Sequence, residues 1–221
     1  GMGIVLKMFP ESASRKNVVR YFPVVESALN ASGILEPRLK VFIYATIRAE
    51  SASFRPIPEE ACKLNTMKAP DVSAISNQSL MGIASIHNAI VKQYGFDDKF
   101  GRYNYRMGND ARGMAEKYKG RGFIQLTGRN NYLHMSKTLP LPGLLDHPDL
   151  ALEPGVAARI LAAYIKTSLK KIEAALSCGD LNKARALVNG GTHGMAHFSE
   201  AYHIGIRHAL PHDSGRTDHM A

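Results

Sequence analysis

Apolar positions along this chain recur mostly at the three- and four-residue spacing of helices, and seldom at the alternation of strands. Residues 14–32 read as one or two short helices, interrupted at Pro23 and stopped by Gly33. Pro37 stands where a first helical turn tolerates proline, and it opens a helix through about Glu50. Within that helix Leu39, Ile43 and Ile47 keep the i, i+4, i+8 spacing of a buried face. Another helix is predicted over 77–94, with Leu80, Ile83, Ala84, His87, Ile90, Val91 and Tyr94 on one stripe. Further helices are predicted near 129–138, 155–177, 180–188 and 197–209, with Asp180 as an N-cap. Segments 54–76 and 95–128 are rich in loop residues, and the end of the chain from Pro211 reads as a frayed tail. The pattern predicts one mainly α (α+β) domain with a cleft built from loops.

Composition narrows this picture. The length of 221 residues suffices for one good-sized domain, or for two small lobes around a cleft. A hydrophobic content of 45% excludes a disordered chain. No apolar run reaches the roughly 18 residues that a membrane span needs. Residues 1–8 read as a leader without the apolar core of a signal peptide, which predicts synthesis in the cytoplasm. Cys62 and Cys178 offer neither a disulfide framework nor metal-type spacing, and are expected to be reduced and buried. The formal charge of +9 suits a polyanionic partner such as nucleic acid, anionic lipid or a bacterial envelope. The basic residues are spread without a run, however, and no nucleic-acid-binding signature is present, so no nucleic-acid partner is expected.

Two regions carry candidate chemistry. Glu50 lies three residues past Ile47 and seven past Ile43, on the same apolar stripe. A carboxylate there would be partly desolvated, which favours the protonated acid that a sugar leaving group requires. The plain alternative is a helix-end glutamate turned out to solvent. Glu59 follows nine residues later, beside Glu60, in a stretch that Pro56 and Pro58 keep out of helix. An inverting glycosidase places a general acid and a general base roughly 6.5–9.5 Å apart, with a water between. The second region is GRGFIQLTGRNNY, Gly120 to Tyr132, with three glycines among amide, hydroxyl and guanidinium groups. Such glycines permit sharp turns and close approach of a ligand, and the polar groups suit a polyhydroxylated one. By pattern alone, a tight turn before a capped helix explains it equally well. His193 and His197 share the i, i+4 spacing of a metal pair, but Gly194 argues against a regular helix there, and no metal is expected.

The Gly120–Tyr132 segment resembles the signature of the family-19 glycoside hydrolases, which include chitinases and a branch of phage and bacterial endolysins. The resemblance runs in order over roughly residues 9–210. It takes in FPESASRKNVVRYFPVVESALNASGI, ATIRAESASFRPIPEE, YRMGN, HPDLALEP and LVNGG. It implies a lysozyme-like fold of two helical lobes around a substrate cleft. It also implies hydrolysis of β-1,4 links next to N-acetylglucosamine, in peptidoglycan or chitin, by a monomer without cofactor. Carried over residue by residue, Glu50 is the general acid and Glu59 the general base. Gln125 and Asn189 contact sugar, Thr127 holds the attacking water, and Tyr105, Arg121 and Tyr132 line or support the cleft. The endolysin-like N-terminal region favours peptidoglycan, with action on the cell wall.

Several positions depart from the family pattern. Ala49 stands where a histidine usually precedes the catalytic glutamate, and Ser51-Ala52-Ser53 replaces a Gly-rich stretch. Gly113-Met114-Ala115 replaces a Gly-Asp-Gly, and His197-Phe198 stands where an Asp-Arg pair is usual. Loss of that arginine removes a charge that would orient the carboxylates. A glycan-binding protein that keeps the cleft without turnover is therefore the alternative expectation.

Overall fold

A computed structural model describes residues 1–59, 107–109, 114–191 and 194–209. The helix predicted over 77–94, and with it His87, lies outside the described residues, as do Cys62, Tyr105, His193 and the tail from Pro211. What is described is predominantly helical, with one small two-stranded sheet. The helices are α1 (Met2–Met8), α2 (Ser12–Ala31), α3 (Pro37–Ser51), α4 (Met114–Lys117), α5 (Arg129–Thr138), α6 (Pro154–Thr167), α7 (Leu169–Ser177), α8 (Leu181–Asn189) and α9 (Met195–Ala209). Strand β1 (Ile57–Pro58) pairs with β2 (Arg121–Gly122). No described helix is long and apolar enough to cross a membrane. The chain divides into two compact units, one of Gly1–Ile57, Gly122–Ile124 and Ala151–Ala221, the other of Pro58–Arg121 and Gln125–Leu150.

In the first unit α3 is the central element. Every residue from Val41 to Arg48 is buried, so the helix packs on all sides. It lies against α9 and α1, while α2 packs on α6 and α7 on α8. Helices α3 and α9 cross at backbone range: a Cβ on Gly205 would lie 2.5 Å from Val41 Cγ1 and 3.0 Å from Met8 Sδ. Residues 1–8, set apart in the sequence as a leader, form α1, because Val5 and Met8 share one face and both are buried.

Pro23 does not interrupt α2, which is one continuous helix. The proline is exposed, and so is Val19 one turn before it, so the carbonyl that loses its partner faces water. Gly33 does end α2, in a left-handed turn at φ +77°. Its N–H reaches the Asn30 carbonyl at 3.0 Å, and the Ile34 N–H reaches that of Leu29 at 2.9 Å, which closes the helix end. The single helix expected over 155–177 is instead two, α6 and α7, broken at Ser168. There the Thr167 hydroxyl donates to the Tyr164 carbonyl at 2.6 Å, in competition with the helical ladder. Asp180 caps α8 as expected, accepting from the Lys183 N–H at 2.9 Å. Cys178 corrects the expectation of a buried thiol: it is exposed, since Ile172, Ala175 and Leu176 take the buried stripe of α7.

The second unit is organised by a buried arginine. The Arg121 guanidinium donates to Asp149 Oδ1 at 2.7 Å, to the carbonyls of Lys117 and Lys119 at 2.9 and 3.1 Å, and to the Tyr132 hydroxyl at 3.2 Å. Tyr132 in turn donates to the Lys119 carbonyl at 2.9 Å. Burial, partly offset by Arg121, pushes the Tyr132 phenol up to about 12. This clamp ties the turn after α4 to α5.

Two carboxylates in the first unit carry a pH dependence. The Glu11 carboxyl is held below the usual carboxylate range by its two-toothed bond to Arg48, at 2.6 and 2.8 Å. Burial alone would raise Glu26, but its bonds from Lys40 and Tyr44 outweigh it and hold the group low as well. Depressed carboxylates stabilise the fold above their unfolded pKa, and that contribution is lost as pH falls through the lower, folded value. Thermal denaturation should therefore show the melting temperature falling as pH drops below about 4.5. The acid limb should be shallower in Glu11→Gln/Glu26→Gln; an unchanged slope would refute the assignment.

Candidate functional site

Each of the two candidate carboxylates belongs to its own unit, Glu50 to the first and Glu59 to the second. Glu50 sits in the last turn of α3, where the buried stripe of Leu39, Ile43 and Ile47 brings it. Its side chain is only 18% exposed, which answers the solvent-facing alternative. Oε1 accepts from Arg185 Nη2 at 2.6 Å, and the Arg185 side chain is 1% exposed. The guanidinium carbon stands 5.7 Å from the centroid of the Phe198 ring. Phe198 is backed by Phe42 edge-on at 5.4 Å and by Tyr202 stacked at 6.0 Å. The half-buried Tyr164 on α6 shares this environment: burial, then the negative charge of Glu50, raises its phenol above the usual value.

Asn189 lies one helical turn beyond Arg185 on α8, so the two occupy the same face. Its Oδ1 accepts from the Gly191 N–H at 3.0 Å, across a left-handed Gly190 at φ +75°. The turn that follows comes close to α3: a Cβ on Gly194 would lie 3.3 Å from the Ala49 carbonyl oxygen and 3.4 Å from its Cβ. The small side chain at 49, one of the departures from the family pattern, matches this close approach. His197, at the other departure, is exposed.

The segment that follows Glu50 is held without glycine. Ala52 and Phe54 both take left-handed backbone, at φ +53° and +50°. Such conformations cost non-glycine residues energy and persist only when their surroundings fix them. Here the Ala52 carbonyl accepts from Ser14 Oγ at 3.0 Å and Arg48 Nη1 at 3.1 Å, and Asn17 Nδ2 donates to the Ser53 carbonyl at 2.8 Å. The Phe54 ring is fully buried, edge-on to Phe9 at 5.1 Å. Side chains of α2 thus hold in place what a Gly-rich stretch would adopt freely.

In the second unit, Glu59, Gln125 and Thr127 converge on Gly120. The Glu59 N–H donates to the Gly120 carbonyl at 2.7 Å, and the Gly120 N–H donates to Glu59 Oε2 at 3.1 Å. A Cβ on Gly120 would lie 2.9 Å from Gln125 Oε1, 3.1 Å from Thr127 Oγ1 and 3.3 Å from Glu59 Cβ. The turn that makes this possible is closed by antiparallel bonds between Arg121 and Leu126, at 3.0 and 3.3 Å, with Gln125 left-handed at φ +53°. The Thr127 hydroxyl donates to the Gln125 carbonyl at 2.8 Å, and Asn131 Nδ2 donates to the Thr127 carbonyl at 2.7 Å. All three side chains are partly exposed. A carboxylate, an amide and a hydroxyl around one glycine can accept a water's proton and bind hydroxyl or acetamido groups.

The structure therefore gathers Glu59, Gln125 and Thr127 in one place, and pairs Glu50 with Arg185, one turn before Asn189 on α8. Arg121 and Tyr132 bond to each other and to the Lys119 carbonyl, and Tyr105 is outside the described residues. Sequence reasoning did not single out Arg185 or Tyr164. The signal for Arg185 was a cation on the buried stripe of α8 beside Ala184 and Val188. No known protein family and no characterised protein matches this chain.

Two substitutions probe this local architecture. Ala52→Gly relieves the left-handed strain and should stabilise the protein by about 0.5–1 kcal/mol in denaturant unfolding; no gain would mean the strain is absent. Gly120→Ala displaces the flexible end of Gln125, so it should cost no more than about 1 kcal/mol of stability.

Proposed function

We propose that this chain is a lysozyme-like glycoside hydrolase that cleaves β-1,4 links next to N-acetylglucosamine in a cell-wall polymer, peptidoglycan before chitin. The observation that carries this reading is the convergence of Glu59, Gln125 and Thr127 on Gly120, with the backbone N–H of Gly120 bound to Glu59 Oε2 at 3.1 Å. A carboxylate so oriented, beside a hydroxyl and an amide, suits a general base with a water and a sugar substituent to hold. Glu50 supplies the second carboxyl, partly shielded from water and held by one oxygen.

In the proposed reaction Glu50 gives a proton to the glycosidic oxygen as the bond to the anomeric carbon breaks. Glu59 takes a proton from a water held by Thr127, and that water attacks the opposite face, inverting the anomeric centre. Gln125 and Asn189 hold the sugar. The resemblance to family-19 enzymes and the order of its motifs along the chain support the same assignment.

Turbidity clearing of permeabilised bacterial cells tests it. The unaltered protein should clear the suspension, and Glu50→Gln and Glu59→Gln should each slow clearing by about 10³-fold while still binding the wall. Mass spectrometry of the released fragments should show new reducing ends. Retention on the wall with no clearing by the unaltered protein would replace the hydrolase with a glycan-binding protein.

A further inference from the structure

We infer that Met107 is a specificity-determining residue, an apolar contact beside Thr127 that takes the methyl of a sugar's N-acetyl group. The inference rests on the hydrolase reading above and deepens its site in the second unit. Residues 107–109 are the part of the YRMGN motif that lies within the described residues. Among the described residues of this unit, Met107 is the one large apolar side chain left exposed. Exposure alone would need no explanation. Its backbone, however, is left-handed at φ +51°, a conformation that a side chain disfavours and that persists only where the surroundings impose it.

The first turn of α5 imposes it. The Asn130 N–H donates to the Met107 carbonyl at 2.9 Å, and the Arg129 N–H donates to Oδ1 of the fully buried Asn109 at 3.1 Å. Between them Gly108 is left-handed at φ +79°, where a Cβ would run into Asn130 Oδ1. Gly128, buried and left-handed at φ +89°, gives the side chain its seat. A Cβ there would lie 2.6 Å from Met107 Cβ and 3.3 Å from Sδ. The Gly128 N–H is itself held by the Tyr118 carbonyl at 2.8 Å. Because Gly128 directly follows Thr127, the thioether lies over the residue next to the hydroxyl of the Gly120 cluster. Glu59, Gln125 and Thr127 offer polar contacts, which suit sugar hydroxyls and the amide of an acetamido group. None of them suits its methyl. A thioether does, since it is apolar, polarizable and unbranched, and removes that methyl from water.

Turnover of N-acetylglucosamine oligomers is compared with that of their N-formyl counterparts, which keep each amide and lack only the methyl. The parent should prefer the acetyl form by about tenfold in kcat/KM. Met107→Gln keeps the length and the backbone strain, and should reduce that preference to less than about threefold, while Met107→Leu retains it. A merely structural methionine would lower turnover of both oligomers alike and leave their ratio unmoved. An unchanged ratio in folded Met107→Gln, or no preference in the parent, overturns the assignment and leaves the hydrolase standing. If Met107→Gln does not fold, as judged by its thermal transition, methionine-methyl NMR of the parent decides. The Met107 signal, identified by its absence in Met107→Leu, should shift with the acetyl oligomer and stay in place with the formyl one; equal responses overturn the assignment. If the parent turns over neither oligomer, the hydrolase reading falls by itself. The contact then stands only if calorimetry shows the acetyl oligomer binding about tenfold more tightly than the formyl one, and it falls if the two Kd values match.

Discussion

Burying a helix on all sides leaves it with a problem at its ends, and most of the first unit answers that problem for α3. The middle of α3 is surrounded mainly by apolar neighbours, with the Tyr44 hydroxyl bonded to Glu26. At its start, Glu36 accepts from the N–H groups of Arg38 and Leu39, at 2.9 and 2.6 Å, and so supplies partners for the first turn. At its far end the chain has to turn away at once, carrying two charged residues, Arg48 and Glu50, out of an apolar setting. Each is met by an opposite charge from a distant part of the sequence, Glu11 before α2 and Arg185 on α8. The polar chemistry of this unit is a by-product of where a fully buried helix must stop.

The second unit reaches its chemistry by a different route. Among its described residues, the loops around Gly120 are tied down by Arg121, whose donors are distributed among three backbone and side-chain acceptors and the phenol of Tyr132. With that buried cation tying the turn to α5, the neighbouring residues 120 to 127 can adopt a left-handed position and a tight reversal. Gly120, lacking a side chain, leaves the space into which Glu59, Gln125 and Thr127 project. A clamp beneath and an empty position above are the two requirements for presenting three polar side chains at one point.

Much of this was legible in the sequence where the cause is local. Helix ends at Gly33, Pro37 and Asp180 announce themselves, because each reports the backbone conformation of its own turn. Glu50 was placed on the buried stripe by counting from Ile43 and Ile47. Pro23 misled, since a proline's cost depends on whether the abandoned carbonyl meets solvent, and that depends on which face of α2 is covered. Ser168 misled in the opposite sense: two hydroxyl residues in succession end a helix whose apolar pattern continues. Arg185 was illegible for a deeper reason. It pairs with a residue 135 positions away, and nothing within its own helix indicates a partner.

The crossing at Gly205 has a consequence for how this chain can vary. With Val41 and Met8 standing where any β-carbon would go, the gap separating the last described helix from its neighbours is the width of bare backbone. An added methyl would force the Val41 side chain, and with it the contact between α3 and the last described helix, to shift. At this crossing the space beside the backbone holds a hydrogen and no carbon.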